Sequence, residues 1–343
     1  MKAVILNKFD GPDSIQITDM PEPQITDDQV LLDVKAAALT HLDIWVTLGR
    51  HGPDVATPHI AGADAAGVVA AVGSRVKNIA VGDEVLINPA LSCGHCRFCN
   101  SGNHSLCLDF GIMGFSRPGT FAEKVAVPAV NLYPKPTHLD FPAAAALPLD
   151  HLTAWRMLVT RARILPGDTL LIHGIGGGAA LAALQIASTI GARIIATSSS
   201  DDKLQKAKQM GAAHLINYRT SPDVAQNALD YTHGAGVDIV FDSVGAATWS
   251  INEKVLRRGG TVVLCGVTSG PKTTVSLQRI YWNQLNVLGS TMGSHEDFRA
   301  MLAAVNTNHI TPVIDSAFPL NHAPAAYQKM QTAQQFGKII LKT

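Results

Sequence analysis

The sequence predicts an α/β protein of two domains, one rich in short β-strands and one built on a doubly wound parallel sheet. Three observations carry that expectation. The 343 residues exceed the roughly 100 to 200 at which a single core usually closes, so two cores are expected. From Met1 to about Val127 the chain reads as short extended segments broken by Gly and Pro. From about Leu149 apolar strands alternate with longer amphipathic stretches, the pattern of right-handed βαβ units.

In the first half the extended segments are MKAVIL, SIQITDM, QVLLDVKAAAL, GVVAAVG and DEVLIN. In the second, strands are expected over Thr169–His173, Arg193–Thr197, His214–Asn217, Val237–Asp242, Thr261–Gly266 and Asn286–Ser290. A helix over Asp201–Met210 is bounded by Ser200 as N-cap and Gly211 as stop. Another begins at Ser221, with Pro222 in the first helical position, and ends by Gly234. Beyond Gly293 a helix over Asp297–Val305 and a strand over Lys338–Leu341 are expected to return to the β-rich domain. The expected division is therefore residues 1–150 with 292–343, and residues 151–291.

Composition narrows the partners. Apolar residues make up 47% and charged residues 16%, as in a well-buried globular enzyme, and formal net charge is zero. Such a chain has no electrostatic pull toward nucleic acid or an anionic bilayer, so a small-molecule ligand is expected and neither of those partners. The N-terminal MKAVILNKFDGPDSIQI has a short apolar run and no small-residue cleavage pattern, so no export signal is expected. The apolar stretch from Ala179 to Ile190 contains Gln and Ser and falls short of the roughly 20 residues that span a bilayer. A cytoplasmic location without a membrane helix follows. No internal repeat or low-complexity tract is visible.

The strand ending at His173 runs into Gly174-Ile175-Gly176-Gly177-Gly178-Ala179-Ala180-Leu181 and then a helix. Glycines let the backbone turn tightly and approach a pyrophosphate, whose charge is met by amides at the helix N-terminus. One register of Gly-x-Gly-x-x-Ala uses Gly174, Gly176 and Ala179; a second puts Gly177 and Ala180 at the close-contact points. With the flanking strand and helix, this predicts a dinucleotide site in which Gly178 is also a binding residue. Where most NAD sites place an Asp or Glu to bind ribose hydroxyls, the next strand ends in Thr197, Ser198, Ser199 and Ser200, with Lys203 following. No carboxylate in that run would repel a ribose phosphate.

Four of the five cysteines fall within fifteen residues, and a clustered set in a chain without an export signal points to metal. Cys93, Cys96, Cys99 and Cys107 supply four thiolates, enough to close a tetrahedral zinc shell with no open position, which makes the ion structural. Gly94 and Gly102 let the chain fold back; His95 and His104 are substitute ligands, and an iron–sulfur cluster is the rival occupant. Cys265, in the run TVVLCG, is expected to be a buried, inert thiol.

Taken in order, the β-rich half, cysteine lobe, glycine-rich turn and closing segment resemble the medium-chain dehydrogenase/reductase superfamily over essentially the whole chain. The runs ALTHLDIWVTLGR, GADAAGVVAAVG, LTAWRML, GGGAALAALQ and GSTMGS look most like its quinone oxidoreductase branch and zinc-lobe-containing relatives. The resemblance implies a GroES-like catalytic domain with a structural zinc lobe at about residues 90–110, a Rossmann domain, a cleft between them, and a homodimer or homotetramer. Alcohol dehydrogenases of the superfamily hold a catalytic zinc with the Cys of Cys-His-Thr-Asp and the His of Gly-His-Glu. Here those stretches read Thr40-His41-Leu42-Asp43 and Gly62-Ala63-Asp64, and the third ligand position falls on Leu149, beside Asp150. The resemblance also places Thr153 near the nicotinamide, His41 toward the pyrophosphate, and Lys203 and Tyr218 around a ribose phosphate.

The expected function is thus an NADP(H)-dependent reductase of quinones, enones or related activated carbonyl compounds, with one structural Zn2+ per chain and no catalytic zinc. Thr40, His41, Asp43, Trp45, Asp64 and Asp150 are the candidates to line the substrate site, and Trp282, Thr291 and Met292 to border it. Two alternatives stand beside it: an alcohol dehydrogenase whose zinc uses an unusual set such as His41, His59, Asp64 or Asp150, and an NADPH-binding structural or regulatory protein without turnover.

Overall fold

A computed structural model describes residues 1–50 and 55–343. The chain divides into two compact units, Met1–Asp150 with Gly293–Thr343, and His151–Met292.

In the first unit a long central strand, Gln29–Leu39, organises the sheet. Its alternate residues Val30, Leu32 and Val34 are buried, the period-two pattern of a strand with one face on a core, and its end, Ala36–Leu39, is buried throughout. Along the seven-stranded sheet the order is Leu132–Pro134, Glu84–Ile87, Asp64–Val72, Gln29–Leu39, Lys338–Lys342, Ile314–Pro319, and Lys124–Pro128 also pairs with Gln29–Leu39. Register aligns Ala38 with Asp64 on one side and with Ile340 on the other. A three-stranded sheet, Ile15–Asp19, Lys2–Leu6, His59–Ile60, packs its apolar residues into the same core, which contains Leu6, Leu32, Phe121 and Tyr327. Gly62 is required here: its φ is +97°, and a Cβ would lie 2.2 Å from the Phe121 ring. The C-terminal segment Gly293–Thr343 falls in this unit. A helix spans His295–Thr307, opened by a reciprocal cap between Ser294 and Asp297, and Lys338–Lys342 pairs antiparallel with the central strand.

The second unit holds a six-stranded parallel sheet in the order His214–Asn217, Arg193–Ser198, Thr169–Ile172, Val237–Asp242, Leu256–Leu264, Asn286–Gly289. This is the doubly wound order in which the chain starts centrally, builds outward, then reverses beside its first strand. The strands are near-continuous apolar runs, as a sheet covered on both faces needs. The helix Asp201–Gln209 starts as expected, with the Ser200 hydroxyl accepting from the Lys203 amide, and stops before Gly211 at φ +107°.

Three expectations are corrected. The next helix is Val224–Tyr231 and starts two residues beyond Pro222, because the Asp223 carboxylate is the one that caps it, accepting from the Gln226 amide at 2.9 Å. The fifth strand begins at Leu256, ahead of Thr261, and ends at Leu264. Cys265 therefore lies past the last paired residue and is half-buried rather than buried. No helix among the described residues is long and apolar enough to cross a membrane.

Candidate functional site

The metal cluster is the most compact group. The four sulfur atoms of Cys93, Cys96, Cys99 and Cys107 lie within 4.8 Å of one another, with close pairs at 3.5, 3.6 and 3.9 Å. Four thiolates about 2.3 Å from one zinc sit about 3.8 Å apart, so the donor set fits that ion. Amides of Cys93, Cys96 and Asp109 point at the sulfurs at 3.3 to 3.4 Å, a stabilising contact for thiolate charge. Backbone contacts, that of Cys99 foremost, draw the Cys96 thiol down to about 6, whereas burial pushes Cys107 up to about 11. A central cation is what lets such unlike thiols ionise together. Neither substitute ligand joins them. The His95 Nδ1 is 2.8 Å from the Cys93 carbonyl, and His104 packs edge-on against His295. Among the described residues no other group of three or more His, Cys, Asp or Glu side chains has ligand atoms close enough to hold an ion.

The polar residues expected around a substrate are also in the first unit, and the fold pairs them off. Thr40 precedes the helix His41–Thr47, and its amide and hydroxyl both donate to Asp43 Oδ2, at 2.7 and 3.2 Å. Asp43 is thus a buried helix cap, and burial lifts its carboxyl to about 7. His41 is exposed on the first turn, edge-on to Trp45 at 5.4 Å. The buried His59 Nε2 lies 2.9 Å from the Gly114 carbonyl.

Asp64 and Asp150 come together through a residue that sequence reasoning had assigned only to the closing strand. Lys338, 4% exposed, places its ammonium 3.1 Å from Asp64 Oδ2 and 2.8 Å from Asp150 Oδ2. The other oxygen of Asp64 accepts from the Leu149 amide at 2.8 Å. Burial raises Asp64 to about 6; burial alone would lower Lys338, but Asp150 and Asp64 outweigh it and hold the amine above its ordinary value. The one sequence signal for this role was a lysine opening an otherwise apolar strand, KIIL.

In the second unit the glycine turn has the expected form. Gly174 and Gly176 adopt φ +66° and +127°, Gly177 caps the helix Gly178–Ile190, and Ala179 lies in its first turn. The Ile175 amide donates to the Thr197 carbonyl at 2.8 Å, tying the turn to the next strand. Ser198 ends that strand, is buried, and its hydroxyl accepts from the Ser200 amide at 3.2 Å, with Ser199 half-buried between them. Tyr218 is exposed and its amide donates to the Ser198 carbonyl at 3.1 Å, so Ser198, Tyr218 and the Lys203 turn share one edge. Asp201, on the same turn, is held by Asn217 Nδ2 at 2.7 Å. Thr153 is buried with its hydroxyl toward Met292 sulfur at 3.8 Å; Thr291 and Trp282 are exposed.

A β-sheet unit with a four-cysteine lobe, joined to a doubly wound sheet with a glycine turn, defines a class: nicotinamide-dependent oxidoreductases with a GroES-like and a Rossmann-type domain. Residues 26–137 match the family model of the alcohol dehydrogenase GroES-like domain, and residues 178–307 that of the zinc-binding dehydrogenases. The chain is 32% identical over 352 residues to a zinc-type alcohol dehydrogenase-like protein of Schizosaccharomyces pombe, covering 100% of this chain and 99% of that one. It is 31% identical over 362 residues to crotonyl-CoA carboxylase/reductase of Cereibacter sphaeroides, covering 97% and 84%. A crystal structure of an NAD-dependent alcohol dehydrogenase superposes with a TM-score of 0.96 at 41% identity over 100% of both chains. The chain belongs to the zinc-type alcohol dehydrogenase-like proteins of the medium-chain dehydrogenase/reductase superfamily, and it is an NAD(P)H-dependent oxidoreductase.

Proposed function

We propose that this oxidoreductase uses NADPH to reduce enones, quinones or related activated carbonyl compounds, with one structural zinc per chain in the cysteine lobe and no catalytic zinc. The observation that carries the reading is the Lys338 ammonium lying between Asp64 and Asp150. A catalytic zinc needs three protein donors and an open position, and Thr40, Ala63 and Leu149 offer no imidazole, thiolate or carboxylate. The two acids beside those positions already share a cation, and His59 is turned to a backbone carbonyl. A rebuilt zinc site would have to break these contacts.

Bound NADPH supplies the hydride. The chain's own part is to hold and orient. The amides at the glycine turn and helix start face the pyrophosphate; Ser198, Ser199, Lys203 and Tyr218 receive the ribose phosphate. Thr153 is assigned to the cofactor; of the residues expected around the substrate oxygen, His41 is the exposed one, while Thr40, Asp43, Asp64 and Asp150 are buried and paired with one another or with Lys338 and hold the backbone around it. Without a Lewis acid an alcohol has nothing to stabilise its alkoxide, whereas an enone or quinone is already electrophilic. The carboxylase/reductase relative, whose name carries an unsaturated acyl thioester, supports this substrate class. The structural relative named as NAD-dependent marks the opposite cofactor choice, which the serines at the strand end argue against.

The test is a turnover screen with NADPH and NADH across quinones, enones and alcohols, paired with zinc stoichiometry. Reduction of an enone or quinone by a protein with about one zinc per chain is expected from the ligand count. Two tightly held zincs together with alcohol oxidation that His41→Ala or Asp64→Ala abolishes would replace this reading with the alcohol dehydrogenase one. Tight NADPH binding with no turnover on any class would favour a regulatory module.

A further inference from the structure

A chain of buried hydrogen bonds runs under the glycine turn, and each donor in it is determined. Asn252 Nδ2 donates to Asp242 Oδ2 at 2.5 Å, so Asn252 Oδ1 is the acceptor toward His173 Nε2, 2.8 Å away. His173 therefore carries its proton on Nε2 and presents a lone pair at Nδ1. Thr197 Oγ1, 3.5 Å from that nitrogen, donates to it and accepts from the Gly174 amide at 3.2 Å. At the other end Asp242 Oδ1 accepts from the Val244 and Gly245 amides at 2.6 and 3.1 Å, and Thr248 donates to Oδ2 at 2.7 Å. His173, Thr197, Asn252 and Asp242 are each at most 2% exposed. Burial lowers His173, which keeps the imidazole neutral as the chain requires.

The strands Thr169–Ile172 and Val237–Asp242 are direct neighbours, so the chain joins the turns that follow the two strands at which the sheet order reverses. Stability alone does not call for it. A buried polar chain contributes little net free energy over apolar residues of the same shape, but its directionality fixes one arrangement of the backbone. A glycine-rich turn left to itself must be ordered when it binds, which weakens binding.

We propose that His173 is a positioning residue for the dinucleotide: through Thr197 and Asn252 it locks the Gly174 turn and the Val244–Gly245 turn into one preorganised surface. This rests on reading the glycine turn as the dinucleotide site. The experiment is fluorescence titration of the full-length protein with NADPH and NADH, with steady-state kinetics, for the parent, Thr197→Val, Thr197→Ser, Asn252→Leu and the Val/Leu double variant. Thr197→Val keeps shape and removes the hydroxyl, so its Kd should rise about tenfold while kcat at saturating dinucleotide holds. Thr197→Ser should restore binding to within about twofold of the parent, since it restores the hydrogen bond. Asn252→Leu should weaken binding too, and the double variant by less than the product of the two, because both break one chain at His173. Parent-like binding by Thr197→Val, or effects of Thr197→Val and Asn252→Leu that simply multiply, would overturn the proposal. If Asn252→Leu does not fold, the Val and Ser variants at Thr197 decide alone. A parent that binds neither dinucleotide would instead overturn the reading of the turn, and this inference with it.

Discussion

At the scale of single residues, two positions make separate predictions. Ser198 stands at the strand end where a carboxylate would select a free ribose, and Ser198→Asp should lower the ratio of NADPH to NADH affinity by about ten- to a hundredfold, the worth of one charge-assisted contact. Titration of both dinucleotides against both proteins checks this; an unchanged ratio would place the phosphate elsewhere. Asp43 concerns stability. Its carboxyl titrates at about 7 in the fold, against an ordinary value near 4, so the folded chain holds the proton more tightly than the unfolded one. The stability this contributes is complete below pH about 4 and is lost as pH rises through about 7. Lys338 opposes the shift, and Asp64 reinforces it. Asp43→Asn keeps an acceptor for Thr40 without the charge, so its urea midpoint should fall less than the parent's between pH 5.5 and 8.5, a difference on the order of 1 kcal/mol. Parallel pH profiles would show that Asp43 does not titrate in that range.

Among the elements, the cysteine lobe makes the clearest prediction. Its sulfurs converge without help from any strand longer than two residues, so a bound ion would be a main source of its order. Chelation at neutral pH should raise hydrogen exchange across residues 90–110 and lower the melting temperature by several degrees, while initial turnover persists. Immediate loss of activity on chelation, with the lobe still protected, would assign the metal a chemical part. The lobe was legible because its ligands are adjacent in sequence. So were the strands of the parallel sheet, whose apolar runs need no partner to be recognised. Pro222 misled because a proline suits a first helical turn equally well when the turn is a loop; Asp223, one residue on, is the cap. Cys265 was misplaced for a related reason, since an apolar run does not reveal where its neighbour's pairing ends. Lys338 was the larger miss. Its partners are 274 and 188 residues away, and only the folded chain brings them together, Asp64 through sheet register and Asp150 from the helix Pro148–Trp155. The chain through His173 was equally hidden, being assembled from four separate segments.

For the whole molecule, the parallel sheet leaves a free edge at Asn286–Gly289, and Leu277, Tyr281 and Trp282 nearby in sequence are 65 to 73% exposed, with Val287 on the strand itself at 42%. An edge strand unpaired on one side among the described residues, together with exposed large apolar side chains close in sequence, is what self-association would satisfy. Light scattering should therefore find a homodimer or homotetramer, and Val287→Lys with Trp282→Asp should shift it toward monomer while leaving the fold intact. A parent that is monomeric at micromolar concentration would refute this.

Lys338 also sets an order of events during synthesis. The second unit, His151–Met292, is a continuous stretch of chain, so all its partners have left the ribosome before translation reaches Lys338. The first unit is not. Its central sheet keeps a gap between Gln29–Leu39 and Ile314–Pro319 until Lys338–Lys342 arrives to fill it, and until then Asp64 and Asp150 lack their cation. The unit begun first is therefore completed last. Nascent chains arrested just after Met292 clears the exit tunnel should yield a protease-resistant second unit and a first unit that is still cut, and resistance of the first should appear only once Lys338 has emerged.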